Sequence, residues 1–450
     1  MKIFAKCWGL LALCWSTVAF SESGKFDLFH FKRADGEMQP YVLYTPKALD
    51  ANQSRPLIVY LHGAVSAPKL QIDPLGAAKC SPMVKLADEG GYYVLFPYGQ
   101  KGLSWFEHAG VEMVLAEIDA VKQTVQIDPD KVFLSGFSDG GSGSFYFAAT
   151  KSDPFAGFIS LNGALPVAAN IGESPVYLEN VNQKPFYVVN TQSDMLYPAR
   201  LMKPLMDYLL QYHPNMIFNT PEGNHDMRYF PSLQAEIKYF IEQHRRQTVT
   251  DISLESADDF SNQYSWLKIT KRNEAESTKA WHKPYALRMV NDKASLGVGF
   301  DMKHQGLGLK VTGVKKDSVS ANIGIQAGDV IIKLEETLLD SRNALFSYLG
   351  SKKAGDTTVI TIQRDGQEMI LKGNFPPAYD YEVFAKQPLS AKVKATLQDN
   401  QLMIETSRVS EFEIDFDQLP WAKDAKTLSL VINGKAQQVI PHNKQTFVVP

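Results

Sequence analysis

The sequence predicts an α/β domain built on a mostly parallel sheet with helices on both faces, followed by β-rich segments. Three observations predict it. Apolar, strand-like runs alternate with helix-period segments from Lys25 to about Arg246. A serine between glycines, in "KVFLSGFSDGGSGSF" (Lys131–Phe145), stands where one such run gives way to a helical pattern. Beyond Arg246 the helical periodicity fades, and short strands with turn signals take over. Strands that alternate with helices imply a mostly parallel sheet, because each helix must bury its apolar stripe against a sheet face.

The first residues, "MKIFAKCWGLLALCWSTVAF", place Lys2 and Lys6 ahead of an apolar stretch from Cys7 to Phe20. That stretch is short for a membrane span and suits a secretory signal, with cleavage expected after Ser21. Residues 1–21 are therefore read as a signal peptide and the remainder as a secreted protein, periplasmic or extracellular. No stable membrane insertion is expected once the signal is cut. Leu13 before Cys14 is too large for a lipoprotein signal. Cys7 and Cys14 leave with the signal, so only Cys80 remains, and stability has to come from cores rather than disulfides. With 450 residues, 44% hydrophobic and 21% charged, the chain can build several cores. A formal net charge of -3 excludes a nucleic-acid binder that works through an overall positive field.

"FDLFHF" and "YVLYTP" read as strands with no helix between them, an antiparallel start to the sheet. "PLIVYLHG", "YYVLFPYG", "KVFLSG", "AGFISLNG", "PFYVVN" and "NMIFNTP" follow as further strands. The helical segments between and after them are "SPMVKLADEG", "AGVEMVLAEIDAVKQTVQ", "ARLMKPLMDYLLQYH" and "SLQAEIKYFIEQHRR". In the second, Val111, Val114, Leu115, Ile118 and Val121 recur at helical spacing and define one packing face.

Gly136-Phe137-Ser138-Asp139-Gly140 fits G-x-S-x-G, a pattern that is weak alone and sharpened by its context. "KVFLSG" supplies a strand and "SGSFYFAATK" a helix, the strand–turn–helix that a nucleophile elbow needs. A serine hydroxyl is activated by a base, and the base is oriented by an acid, in the chain order Ser, Asp or Glu, His. His30, His62 and His108 precede Ser138, His213 and His244 belong to helices, and His282, His304 and His442 lie in the β-rich part. His225, in the loop "TPEGNHDMRYF", is left as the base. Asp194 ends the polar loop after "PFYVVN" and is the expected acid, with Asp207, in a helical pattern, as runner-up. "PLIVYLHGAVSAP" offers the backbone N–H of Ala64, and Asp139 offers a second, as an oxyanion hole. His62 holds that loop in this reading, since no second ligand accompanies it at metal-binding spacing. Asp139 puts a carboxylate beside the nucleophile, where it would oppose an oxyanion, so its side chain is expected to point away, held by hydrogen bonds. No metal, nucleotide or flavin signature occurs, and no cofactor is expected.

On the motifs "YLHGA", "LADEGGYYVLFPYG", "IDPDKVFLSGFSDGG", "NTQSD" and "EGNH", the segment 22–249 resembles the α/β-hydrolase superfamily. Within it, the likeness is to secreted esterases of the polyhydroxybutyrate-depolymerase and feruloyl-esterase type and to bacterial predicted peptidases. The resemblance implies a serine hydrolase with Ser138, His225 and Asp194 as its triad. The short stretch between Gly163 and Lys184 leaves no room for a large lid, and an open site is expected.

"SLGVGFDM" and "GLKVTGVKKDSVSANIGIQAGDVIIKLEE" resemble a bacterial-type PDZ domain, expected over 284–376. The resemblance implies that Gly297, Val298, Gly299 and Phe300 form the loop that cradles a peptide C-terminus, with "RNALFSYLG" as the other wall of the groove. The tail, "SAKVKATL" to "TLSLVING", resembles a small β-sandwich, and "YSWLKITK" reads as its missing first strand. The PDZ segment is thus expected to be inserted in a small β-domain made of 250–283 and 377–450. Three functions stay open: an ester hydrolase that recruits a partner or substrate through its PDZ groove, a peptidase with the same triad, and a binding protein on a hydrolase scaffold.

Overall fold

The computed structural model describes residues 24–450 apart from 34, 48–52, 71, 214, 302–303, 386, 399–400 and 420–426. The expected signal, residues 1–21, lies outside the described residues. Eight strands form the first sheet: β1 (Lys25–Lys32), β2 (Met38–Thr45), β3 (Arg55–Leu61), β4 (Tyr93–Pro97), β5 (Ile127–Phe137), β6 (Gly157–Leu161), β7 (Phe186–Val189) and β8 (Met216–Asn219). Their order is β1-β2-β4-β3-β5-β6-β7-β8. The pairings β1–β2 and β2–β4 are antiparallel, and every other pairing is parallel. The central strands are apolar throughout because both faces are covered. Val59, Leu61, Val132, Leu134 and Val188 face one helix layer, and Ile58, Val94, Phe133, Ile159 and Val189 face the other.

The helix His108–Lys122 buries Val111, Val114, Ile118 and Val121 on one side of the sheet. The helix Phe230–Gln243 buries Phe230, Ile237, Phe240 and Ile241 on the opposite side. Each such side chain, fully buried, contributes roughly 1.5–3 kcal/mol of hydrophobic stabilisation before the entropic cost is counted. The result is a rigid sheet with the carboxyl ends of β3, β5, β6, β7 and β8 side by side.

The remaining strands form a sandwich, a second, separate sheet and a two-stranded ribbon. Asp251–Ser256 pairs antiparallel with Ala391–Gln398, and Leu267–Arg272 pairs with Val409–Asp415. Segments on either side of the intervening 100-odd residues therefore share two sheets, closed over a core that includes Trp266, Leu267, Phe412 and Leu430. Between them lies a five-strand path running through Val298–Phe300, Leu309–Val314, Val330–Leu334, Thr357–Arg364 and Gln367–Asn374. The helix Arg342–Gly350 packs on this sheet through Leu345, Tyr348 and Leu349. Two linking segments, Arg288–Asn291 and Tyr379–Glu382, zip into an antiparallel ribbon. The side chain of Met289 on this ribbon is buried in the core of the first domain.

Candidate active site

The nucleophile position is made by the backbone. Ser138 sits between β5 and the helix Asp139–Thr150 with φ 58° and ψ −118°, a conformation that costs a non-glycine residue on the order of 1–3 kcal/mol. The turn closes only because its flanking residues lack side chains. A Cβ on Gly136 would lie 2.3 Å from the Gly140 backbone, and one on Gly140 would lie 2.0 Å from the Leu61 carbonyl oxygen. The Ser138 N–H donates to Leu161 O at 3.0 Å, fixing the turn to the next strand. Its hydroxyl makes no helix-capping bond and points elsewhere.

It points to His225. Ser138 Oγ lies 2.9 Å from His225 Nε2, and His225 Nδ1 lies 2.8 Å from Asp194 Oδ2. A carboxylate only accepts, so Nδ1 carries the proton and Nε2 is left to accept from the serine hydroxyl. Asp194 has no exposed surface. Its Oδ1 accepts from the N–H groups of Leu196 at 2.7 Å and Tyr197 at 2.9 Å, and its Oδ2 also accepts from Asn162 Nδ2 at 2.6 Å. Burial alone would push the carboxyl up; the hydrogen bond and charge of His225, with the backbone and Asn162 donors, outweigh it and hold the carboxyl below its ordinary value. Phe137 and Tyr197 flank the imidazole, with ring centres 5.0 and 5.9 Å away.

The loops that carry Asp194 and His225 are tied to each other. Ser193 N donates to Gly223 O at 3.0 Å, and Thr191 Oγ1 donates to Asn224 O at 2.8 Å. Asp207 is elsewhere, on the exposed face of its helix and paired with Lys203. Asn162, at the carboxyl end of β6, escaped the sequence reading. Its only sequence mark is a polar residue ending an apolar strand. Among the described residues its backbone is one of few non-glycine positions with positive φ, 49°.

The loop after β3 faces Ser138. A Cβ on Gly63 would be 3.0 Å from the serine Cβ, and Ala64 has φ 59°. Neither the Ala64 nor the Asp139 N–H finds an acceptor among the described residues. His62 braces the loop: Nδ1 lies 2.6 Å from Gly63 O, and Nε2 accepts from Gly99 N at 3.0 Å. Burial lowers its pKa, which keeps the ring neutral and able to accept. Trp105, fully buried, donates from Nε1 to His62 O at 2.8 Å. The Asp139 carboxylate accepts from Val65 N at 3.1 Å, so it clamps the same loop from the other side. Among the described residues no group of three metal-ligating side chains occurs.

The border of the site comes from outside the first domain. The helix Arg342–Gly350 ends against the acid loop so closely that a Cβ on Gly350 would lie 2.9 Å from Ser193 O. Ser347 Oγ is 3.5 Å from Asn224 Nδ2, and Met195 packs into the core of that second sheet. Gly297 has φ 71°, and Val298–Phe300 run on from it as the edge strand of the sheet, paired on one side only.

Residues 49–244 match the family model described as phospholipase/carboxylesterase, and residues 294–372 match that of the PDZ domain. Fold and family match together define an α/β-hydrolase domain of the carboxylesterase type followed by a PDZ domain. The chain is 28% identical over 186 residues to a bifunctional acetylxylan esterase/xylanase from Neocallimastix patriciarum, covering 41% of this chain and 26% of that protein. It is 29% identical over 147 residues to poly(3-hydroxyalkanoate) depolymerase C from Paucimonas lemoignei, covering 30% of this chain and 33% of that protein. A 65-residue stretch is 35% identical to the serine protease Do-like HtrA of Lactobacillus helveticus, covering 14% of this chain and 16% of that protein. The chain thus spans a third or less of the length of these relatives.

Two outcomes follow for the loops around Ser138. Asp139→Asn keeps an acceptor for Val65 N and is expected to leave kcat/KM on p-nitrophenyl acetate within about threefold, whereas Asp139→Ala frees the loop and lowers it about tenfold. A rise of about tenfold in the Asn variant would show the charge opposing the reaction instead. Gly350→Val is expected to push the Ser193 carbonyl and lower kcat about tenfold, with KM little changed; an unchanged kcat would mean that the helix, not the acid loop, gives way.

Proposed function

We propose that the protein is a secreted serine hydrolase that cleaves carboxylic esters through an acyl-enzyme, with Ser138 as nucleophile, His225 as general base and acid, and Asp194 as the group that orients it. The observation that carries this reading is the unbroken chain of hydrogen bonds from Ser138 Oγ through His225 to a buried, ionised Asp194. In the first step Ser138 Oγ attacks the ester carbonyl carbon while His225 Nε2 takes its proton. The carbonyl oxygen becomes an anion and is met by the N–H groups of Ala64 and Asp139. Collapse expels the alcohol, protonated by His225, and leaves the acyl group on Ser138. Water, deprotonated by His225, then releases the acid. Asp194 holds the imidazole in the tautomer that accepts at Nε2 and offsets its positive charge, without itself taking the proton.

The PDZ domain is proposed to hold a peptide C-terminus along the open edge of Val298–Phe300, in the groove bounded by Arg342–Gly350, and so to recruit a partner or substrate. Export rests on the lysine-led apolar segment at the start of the chain.

The test is labelling of the purified protein with a fluorophosphonate probe, beside Ser138→Ala, followed by a panel of p-nitrophenyl esters and peptide anilides. Labelling absent from the variant, with ester turnover reduced at least about 10⁴-fold, is the expected result. Faster cleavage of the anilides than of the esters would favour a peptidase. No labelling of folded wild type would leave a binding protein on a hydrolase scaffold.

A further inference from the structure

Beside the triad lies a cavity of about 370 Å³ that the reaction described above does not use. One wall belongs to the hydrolase domain: the helix Leu165–Ile171, which follows β6, and the loop residues Leu196 and Tyr197. The other wall is the two-stranded ribbon, through Asn291, Tyr379 and Tyr381, with Lys293 just beyond it. Tyr197 is shared between cavity and triad, because it also stands edge-on to His225 with ring centres 5.9 Å apart. Whatever fills the cavity is therefore in contact with the residue that flanks the base.

The chemistry of the walls is uneven. The hydrolase side is mostly apolar, with Val167, Leu201 and Met202 among its surfaces. The ribbon side is polar: Asn291 Nδ2 donates to the Tyr379 hydroxyl at 3.0 Å, and the Tyr381 hydroxyl donates to the Met289 sulfur at 3.9 Å. Among the described residues no carboxylate lines the cavity, and the one charged lining residue is Lys293. The Lys293 ammonium donates to Leu196 O at 2.9 Å, which leaves two of its three protons without a protein acceptor in that contact. Burial, with a smaller push from the nearby charge of Arg200, holds its pKa below the ordinary lysine value, and the charge of Asp194 offsets this only in part. Asp194 lies behind the Leu196–Tyr197 backbone and is already engaged by four donors, so it is not a free partner. Arg200, the next cation, is taken up by Asp292. That ion pair ties the end of the ribbon to the helix Ala199–Leu210, and the Lys293–Leu196 bond ties it to the loop that carries Asp194, so the two walls of the cavity are held together.

A partly buried ammonium beside an otherwise uncharged cavity with one apolar wall and one wall of hydroxyl and amide groups is the arrangement that recognises an amphipathic acid. We propose that this cavity binds the arm of the ester substrate remote from the scissile bond and selects arms that end in a carboxylate, which pairs with Lys293. The proposal rests on the hydrolase reading and narrows its substrate class to esters carrying a free acid group. Lys293, just beyond the ribbon, supplies the charge recognition, so the selectivity for an acid end comes from outside the hydrolase domain.

The experiment compares charged and neutral esters of matched size in the full-length protein. On the acyl arm, p-nitrophenyl adipate and suberate monoesters are set against hexanoate and octanoate. On the alcohol arm, carboxybenzyl acetate is set against benzyl acetate. Wild type, Lys293→Met and Lys293→Arg are assayed, with fluorophosphonate labelling of Ser138 confirming that each is folded. In at least one series Lys293→Met is expected to lower the charged-to-neutral ratio of kcat/KM about tenfold, mostly through KM, while Lys293→Arg keeps most of it. Equal loss on charged and neutral esters would reduce Lys293 to a clamp for the acid loop and overturn the proposal. So would an unchanged ratio in both series. Wild type that cleaves no ester and takes no label would remove the hydrolase reading, and the substrate class with it.

Discussion

A carboxylate with no exposed surface must find donors for both oxygens or give up its charge, and Asp194 finds four. Those donors come from the end of β6, from its own loop after β7 and from the loop after β8. The position of the imidazole, and through it of Ser138 Oγ, follows from this one group. The bonds between the acid and base loops and the PDZ helix packed against Ser193 close the arrangement from outside. Leaving such a charge partly unpaired typically costs about 3–5 kcal/mol, so the fold has little freedom to move any of these loops independently.

The Ser138 side is built on strain in place of charge. Ser138 and Ala64 both take positive φ, and each is held by packing that glycines at 136, 140 and 63 make possible. His62, Trp105 and Asp139 converge on the loop after β3 from three directions. The carboxylate of Asp139, which by its position could oppose an oxyanion, is spent on the Val65 N–H. Local strain and a buried acid thus meet at the carboxyl ends of the central strands.

Much of this was legible in the chain. Alternating apolar runs fixed the strands because period and length change together from strand to helix, and Ser138, Asp194 and His225 each follow a run of strand-like residues. Asn162 was not legible: an asparagine after an apolar run is common, and only the meeting of β6 and β7 brings it to Asp194. The packing of Arg342–Gly350 on the acid loop, and the ribbon that carries Lys293 to the site, are contacts between distant segments that no local pattern encodes. The expectation of an open site followed from the short stretch between Gly163 and Lys184. Two helices, Leu165–Ile171 and Leu178–Val181, occupy that stretch, and the PDZ side of the chain borders the site in place of a lid.

The account turns on a covalent intermediate at one serine. Rapid quenching of a p-nitrophenyl ester reaction, with mass spectrometry of the digested protein, reads it directly. The account predicts an acyl adduct on the peptide containing Ser138, formed within the burst of p-nitrophenol and lost as turnover completes. Turnover with no adduct on that peptide, or an adduct on the exposed Cys80 instead, would contradict it.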